Sequence, residues 1–309
     1  MRDFHCRLSR GFIGERGDDG VKLRDPGLSK RDYLEYLVRF NRQRISENAA
    51  IIASTERGEN PDSRVSPEIR IRALRADNYC LYKILLNSQY SLGVSCKELY
   101  PDYCAAVQAF AATSLADLEI YAQKSEGHQS PAVLYFGYFS LLRLVSLGLM
   151  LSRDGSVIGQ LYDVAHRERI DDRLLNLMFR AAGFNASDSC GFYDINPYAY
   201  LAPFVDNLYD PFRAQDALFE FVSEKWIPGH EAHEFSIYLM SKYYHGLWCY
   251  EAAALAKILK IDDTALMDNP HYPYDLAHFR NGMKYRVKSV RDGLSLRERA
   301  RLILKVGHR

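Results

Sequence analysis

The sequence of 309 residues is short of net charge, of paired cysteines and of any recognisable catalytic signature. Lys and Arg number 40 against 39 Asp and Glu, a formal net charge of +1. That balance excludes whole-protein electrostatic attraction to nucleic acid. The six cysteines (Cys6, Cys80, Cys96, Cys104, Cys190 and Cys249) contain no Cys-x-x-Cys pair. Zinc ribbons and dithiol redox motifs are thereby excluded. Met1 to Gly20 is charged and glycine-rich without the apolar stretch of a signal peptide, so free thiols in a reducing cytoplasm are expected. No P-loop, kinase, nuclease or hydrolase motif occurs, and no repeat of fixed period points to a solenoid.

What is present is ordinary globular material: 48% apolar, 13% aromatic and 26% charged residues, in a length that suits one large domain or two smaller ones. The neutral total hides segregation. Residues 1–80 carry 16 basic and 13 acidic groups, residues 81–280 carry 15 and 24, and residues 281–309 carry 9 and 2. The acidity peaks between Asp188 and Glu234, where nine carboxylates face only Arg213 and Lys225. The chain is an acidic body with a basic tail.

Apolar spacing is helical nearly throughout. Ser29 starts a helix that runs to Gly58. Ser66-Pro67-Glu68, an N-cap followed by proline at the first helical position, starts a second toward Gly93. Ser95 with Glu98 opens a third, with apolar positions out to Tyr121. Pro131 to Leu151 is apolar on almost every side and long enough to cross a bilayer. Arg143 near its centre and the absence of a second such run make it a buried core helix instead. Further helices are expected over 159–182, with Gly183 as C-cap, over 212–226 and 233–259 on either side of Pro228-Gly229, and over 271–280. An amphipathic stretch over 294–304 follows. No alternating β-branched run persists. The expected fold is all-α, a multi-helix globular protein in which an N-terminal helical domain (1–155, with 1–27 a flexible arm) packs on a C-terminal one (156–309).

Few residues arrange themselves for chemistry. His230 and His233 lie three apart at a helix start, whereas a zincin needs two histidines four apart in mid-helix, so an acidic helix N-terminus is preferred to a metal site. The glycines at 11, 14 and 17 lack the strand and helix that frame a phosphate loop. Asp275 and His278 are spaced so that the carboxylate could orient the imidazole, with His271 nearby, but no nucleophile accompanies them. The preferred reading has Tyr272 and Tyr274 as anchors and Asp275 as a cap or paired with a neighbouring helix. Glu251 lies in an alanine-rich helix and must be paired if buried, which makes it a polar anchor.

The block from Gly246 to Asp263, which includes Gly-Leu-Trp-Cys-Tyr-Glu-Ala-Ala-Ala, followed by His271-Tyr-Pro-Tyr-Asp-Leu-Ala-His278, resembles the C-terminal domain of the PoNi immunity proteins. That family typically reads Gly-Tyr-Trp-Cys-Phe-Glu-Ala-Ala-Ala, then Ile-Asp-Asp, then Tyr-Tyr-Pro-Tyr-Asp-Leu. Leu247, Tyr250, Lys260 and His271 depart from it mildly. The resemblance implies a non-catalytic inhibitor of a PoNe-type DNase toxin in interbacterial competition, with no cofactor, metal or catalytic residue. A DNase exposes basic surface to phosphates, so an inhibitor that blocks it would present carboxylates. Asp194, Asp206, Asp210, Asp216, Glu220 and Glu224 are the expected contact residues. The expected partner is the nuclease toxin, without nucleic acid or membrane, and with a homodimer as a possible assembly. The alternatives are a nucleic-acid-binding or scaffold protein using the 281–309 tail and, less favoured, a hydrolase using the His230/His233 region.

Overall fold

A computed structural model describes residues 23–25, 31–59, 65–114, 132–187, 191–192, 198–205, 210, 213–231, 244, 246–289, 292 and 294–298. Among these, helices form the fold and no strand occurs. In chain order they are α1 (Arg31–Glu56), α2 (Pro67–Ser91), α3 (Cys96–Ala111), α4 (Ala132–Leu151), α5 (Ser156–Arg167) and α6 (Arg173–Ala182). A 3-10 turn (Tyr198–Leu201) leads to α7 (Ala202–Val205), then α8 (Ala214–Glu220), a π-helical segment (Phe221–Lys225) and α9 (Trp226–Glu231). The last elements are α10 (Tyr250–Leu259), a 3-10 turn (Thr264–Leu266) and α11 (Tyr274–His278).

The caps explain the boundaries. The Ser66 hydroxyl accepts from the Ile69 amide, and Pro67 follows at the first helical position. Ser95 and Glu98 form a reciprocal capping box that satisfies two orphan amides at the start of α3. The α3 helix ends at Ala111, short of the expected Tyr121. The Arg167 guanidinium there takes the carbonyls of Ala111 and Thr113, each at 3.0 Å, and closes the end with side-chain donors. Residues 115–131 lie outside the described residues.

Helix α4 is the axis. It packs against α3, α5, α6, α10 and α11. Tyr138, Leu141, Val145, Leu149 and Met150 are each 0% exposed. Each buried leucine contributes about 1.5–3 kcal/mol of transfer free energy, so this helix suits a protein core. No described helix is long and apolar enough to cross a membrane. Gly148 lets the Tyr103 hydroxyl and Ile158 approach the α4 backbone, a space that any Cβ would fill. Beyond α4, the Asn281 amide and Tyr285 hydroxyl donate to the Leu149 carbonyl at 2.8 and 2.7 Å, and the Arg286 amide donates to Ala181 at 2.9 Å. The first part of the basic segment is thus laid along the body. One buried hydrophobic cluster runs from Ala76 to Ala277.

Several expectations need correction. The helix expected over 159–182 is two, α5 and α6. Arg169 adopts φ 55°, and buried Asp172 then caps the new helix by accepting from the Leu175 amide at 2.8 Å. Gly183 closes it at φ 100°. Pro228-Gly229 does not separate two helices, because α9 runs through both. The expected helix over 233–259 begins, among the described residues, only at Tyr250, since 246–249 is non-helical chain and 232–243 is not described. Within 271–280 only Tyr274–His278 is helical. Residues 23–25, the end of the expected arm, are held. Arg24 donates to the carbonyls of Tyr90 and Val94 and to Asp275, and its guanidinium lies 4.5 Å from the Tyr90 ring centre.

Candidate functional site

The acidic stretch is organised by the π segment. After Ala214, Leu218 and Phe221, an α-helical period would bury position 225, which is Lys. The buried residue is Trp226 instead. The extra residue is absorbed by the i→i+5 turn, in which the Trp226 amide donates to the Phe221 carbonyl. Residues five apart in an α-helix lie about 140° apart, whereas the π turn brings them nearly into line. Phe221 and Trp226 therefore both reach the core. On the outer side Lys225 meets Glu220, with Nζ 3.2 Å from Oε1 and 4.0 Å from Glu224 Oε2. The Glu220 hydrogen bond holds the Lys225 ammonium above its ordinary pKa. The same ammonium sits 5.3 Å from the Tyr200 ring centre.

Of the six expected contact residues, Asp194 and Asp206 lie outside the described residues. Asp210, Glu220 and Glu224 are exposed and Asp216 is half-buried. Asp216 and Glu220 are four apart on α8 and share one face.

Beneath that surface lies a buried anchor. Glu251 Oε1 accepts from the Trp226 indole at 2.5 Å and from the Tyr198 hydroxyl at 3.1 Å. Burial pushes the Glu251 carboxyl above its ordinary range. One side chain on α10 thus holds both the 3-10 turn that bears Tyr200 and the end of the π turn that bears Lys225. The sequence predicts Glu251 as an anchor but does not identify Tyr198 and Trp226 as its donors. Their hydrogen-bonding side chains are the only local signal for those roles.

A second network joins Asp25 and α2 to residues 244–250. The Trp248 indole donates to Ser91 Oγ at 3.0 Å, Ser91 bonds the Tyr244 hydroxyl, and Tyr244 donates to buried Asp25. The Tyr250 hydroxyl donates to Asn87 at 2.9 Å. Gly246 takes φ 64° against Asn87 and Trp248, where a Cβ would collide with both. The segment from Gly246 to Glu251 is therefore the joint between α2, α10 and the π segment.

Family models of the PoNe immunity proteins (PoNi) match this chain twice, the N-terminal model over residues 24–162 and the C-terminal model over 170–276. The chain belongs to the PoNi family. The family match extends the resemblance from the C-terminal block to almost the whole described body, and it carries a toxin-neutralising immunity function with a cognate toxin as partner. The crystal structure of protein PA2201 from Pseudomonas aeruginosa shares the fold: TM-score 0.51, 19% identity, covering 80% of this chain and 95% of that one. No curated protein matches the chain.

In this PoNi chain the Asp275/His278 pairing that the spacing would allow is not formed. Asp275 binds Arg24 at 2.6 Å, so its partner belongs to the non-helical segment 23–25 and not to the neighbouring helix of the preferred reading. The carboxylate on His278 Nε2 is Asp263, at 2.7 Å, and its other oxygen accepts from the Tyr272 hydroxyl at 2.6 Å. His278 bonds to no serine or cysteine among the described residues. His271 donates from Nδ1 to the Leu247 carbonyl at 3.1 Å, and burial lowers its pKa. Lys257 caps α11 by donating to the Ala277 and Phe279 carbonyls, with its pKa lowered by burial to about 8. These groups tie loops to helices. Among the described residues no cluster of three or more His, Cys, Asp or Glu is arranged to hold a metal. The His233 side chain of the His230/His233 pair lies outside the described residues, and so does that of His230.

Proposed function

We propose that this chain is a non-catalytic immunity protein that binds a PoNe-type DNase toxin in the cytoplasm and holds it inactive. The observation that carries the reading is the pair of family matches, which together run from residue 24 to 276. The face bearing Asp210, Asp216, Glu220 and Glu224, with Asp194 and Asp206 adjoining it in sequence, is the proposed contact surface, because carboxylates oppose the basic groups a DNase needs for phosphate. The proposal includes the division of the chain at residues 155/156 into two helical domains. Homodimer formation through the 281–309 segment accompanies it. A mass near twice 35.5 kDa in light scattering supports the dimer, and a monomer mass rules it out.

Expression of a cognate PoNe-type toxin, with and without the chain, tests the reading. Restored growth is expected, and undiminished killing at confirmed expression of both proteins refutes it.

A further inference from the structure

The proposed contact face carries more than carboxylates, and the role inferred for it rests on the immunity reading. Tyr200 is 54% exposed and Phe219 is 42% exposed, which puts two large aromatic side chains beside the carboxylates. Between Tyr200 and the carboxylates of Glu220 and Glu224 lies the Lys225 ammonium, with one strong acceptor at 3.2 Å, a weaker one at 4.0 Å and an aromatic face at 5.3 Å. Two carboxylates and a tyrosine ring around one cation are the elements that recognise lysine or arginine from any source. The arrangement depends on the π turn, which brings Lys225 into line with Glu220, and π turns gather at functional sites. Asp216 precedes Phe219 by three residues and Glu220 by four, so it borders both.

We propose that this cluster is a receptor for a basic side chain of the toxin. An incoming Lys or Arg displaces Lys225 from between Glu220, Glu224 and the Tyr200 ring, while Tyr200 and Phe219 supply the apolar anchors of the contact. The occupant is a positively charged protein surface, by charge complementarity. The sequence from Asp188 to Glu234 carries nine carboxylates against Arg213 and Lys225, and a DNA-cleaving partner must expose cations. Lys225 is held by an exposed ion pair, a weak and salt-screened interaction, so its displacement costs little. Tyrosine on this side and arginine on the other are the residue types that most often dominate interface energies.

The test uses the full-length chain and its cognate PoNe-type toxin, inactivated by a substitution at its catalytic site, in a biosensor binding assay at two salt concentrations. Tyr200→Ala and the double variant Glu220→Gln/Glu224→Gln should each weaken binding about tenfold or more, and Phe219→Ala should weaken it too. Lys225→Gln should act in the opposite direction and tighten binding, because the internal competitor is removed. Four of the five positions are exposed and Lys225 is half-buried, and unchanged circular dichroism confirms folding of each variant. Wild-type-like binding by Tyr200→Ala and the double variant overturns this inference while leaving the immunity reading in place. Weaker binding of Lys225→Gln overturns the displacement. A wild-type chain that neither binds nor rescues growth overturns both.

Discussion

Replacing Glu251 by alanine should unfold more of the molecule than its single hydrogen-bonded oxygen suggests. The Trp226 indole and Tyr198 hydroxyl both donate to that oxygen, and all three residues are buried. Alanine leaves two buried donors without an acceptor, at about 1–3 kcal/mol each, and adds a cavity. The expected loss is about 3–6 kcal/mol, a large share of the about 5–15 kcal/mol that holds a protein folded. Glu251→Gln keeps an acceptor for Trp226 and should lose much less. It should also alter the pH dependence. The folded-state pKa of Glu251 is raised, so its contribution is fully present below the unfolded value near 4.5 and is lost as pH rises through the folded value. The glutamine variant does not titrate, so its stability relative to wild type should improve as pH climbs above about 4.5. Urea unfolding followed by tryptophan fluorescence and circular dichroism measures both effects. A loss below about 1 kcal/mol for the alanine variant would refute the anchor, because one orphaned donor alone costs that much.

Other perturbations probe the joints. Arg24→Ala removes donors to the Tyr90 and Val94 carbonyls and to Asp275, and should lower the urea midpoint by the equivalent of about 1–3 kcal/mol. Gly246→Ala forces a Cβ at φ 64° against Trp248 and Asn87, and should cost at least the about 1–2 kcal/mol of a left-handed residue, read from the same curves. The pKa of His271 is lowered in the fold, so the neutral form is favoured and stability should fall as pH drops from its ordinary value near 6.5 through the folded one. His271→Tyr, the residue usual in the family, should remove that slope in melting curves taken from pH 5 to 8 (about the range over which a histidine titrates).

Much of the fold was legible because its signals are local. Ser66-Pro67 and Ser95/Glu98 mark helix starts that any context would respect, and the apolar run over 131–151 allowed only a buried helix once Arg143 was weighed. The misreadings share a cause, the override of local signals by tertiary contacts. Pro228-Gly229 looks like a break, yet Trp226 is pulled inward by Glu251 and the helix continues through them. The π turn is written in the one-residue slip from Lys225 to Trp226, a shift readable only when the buried face is known. Spacing offered His278 only Asp275, three residues away, whereas the fold delivers Asp263 from fifteen residues away. The candidate face was legible as charge alone; Tyr200 and Phe219 became part of it only through their exposure.

The central claim is that the chain stops a nuclease by binding it. The direct measurement is DNA cleavage by the purified cognate toxin, titrated with this protein. The account predicts that cleavage ends near one equivalent of chain and that inhibition weakens with salt. Continued cleavage in the presence of a large excess of folded chain would contradict it.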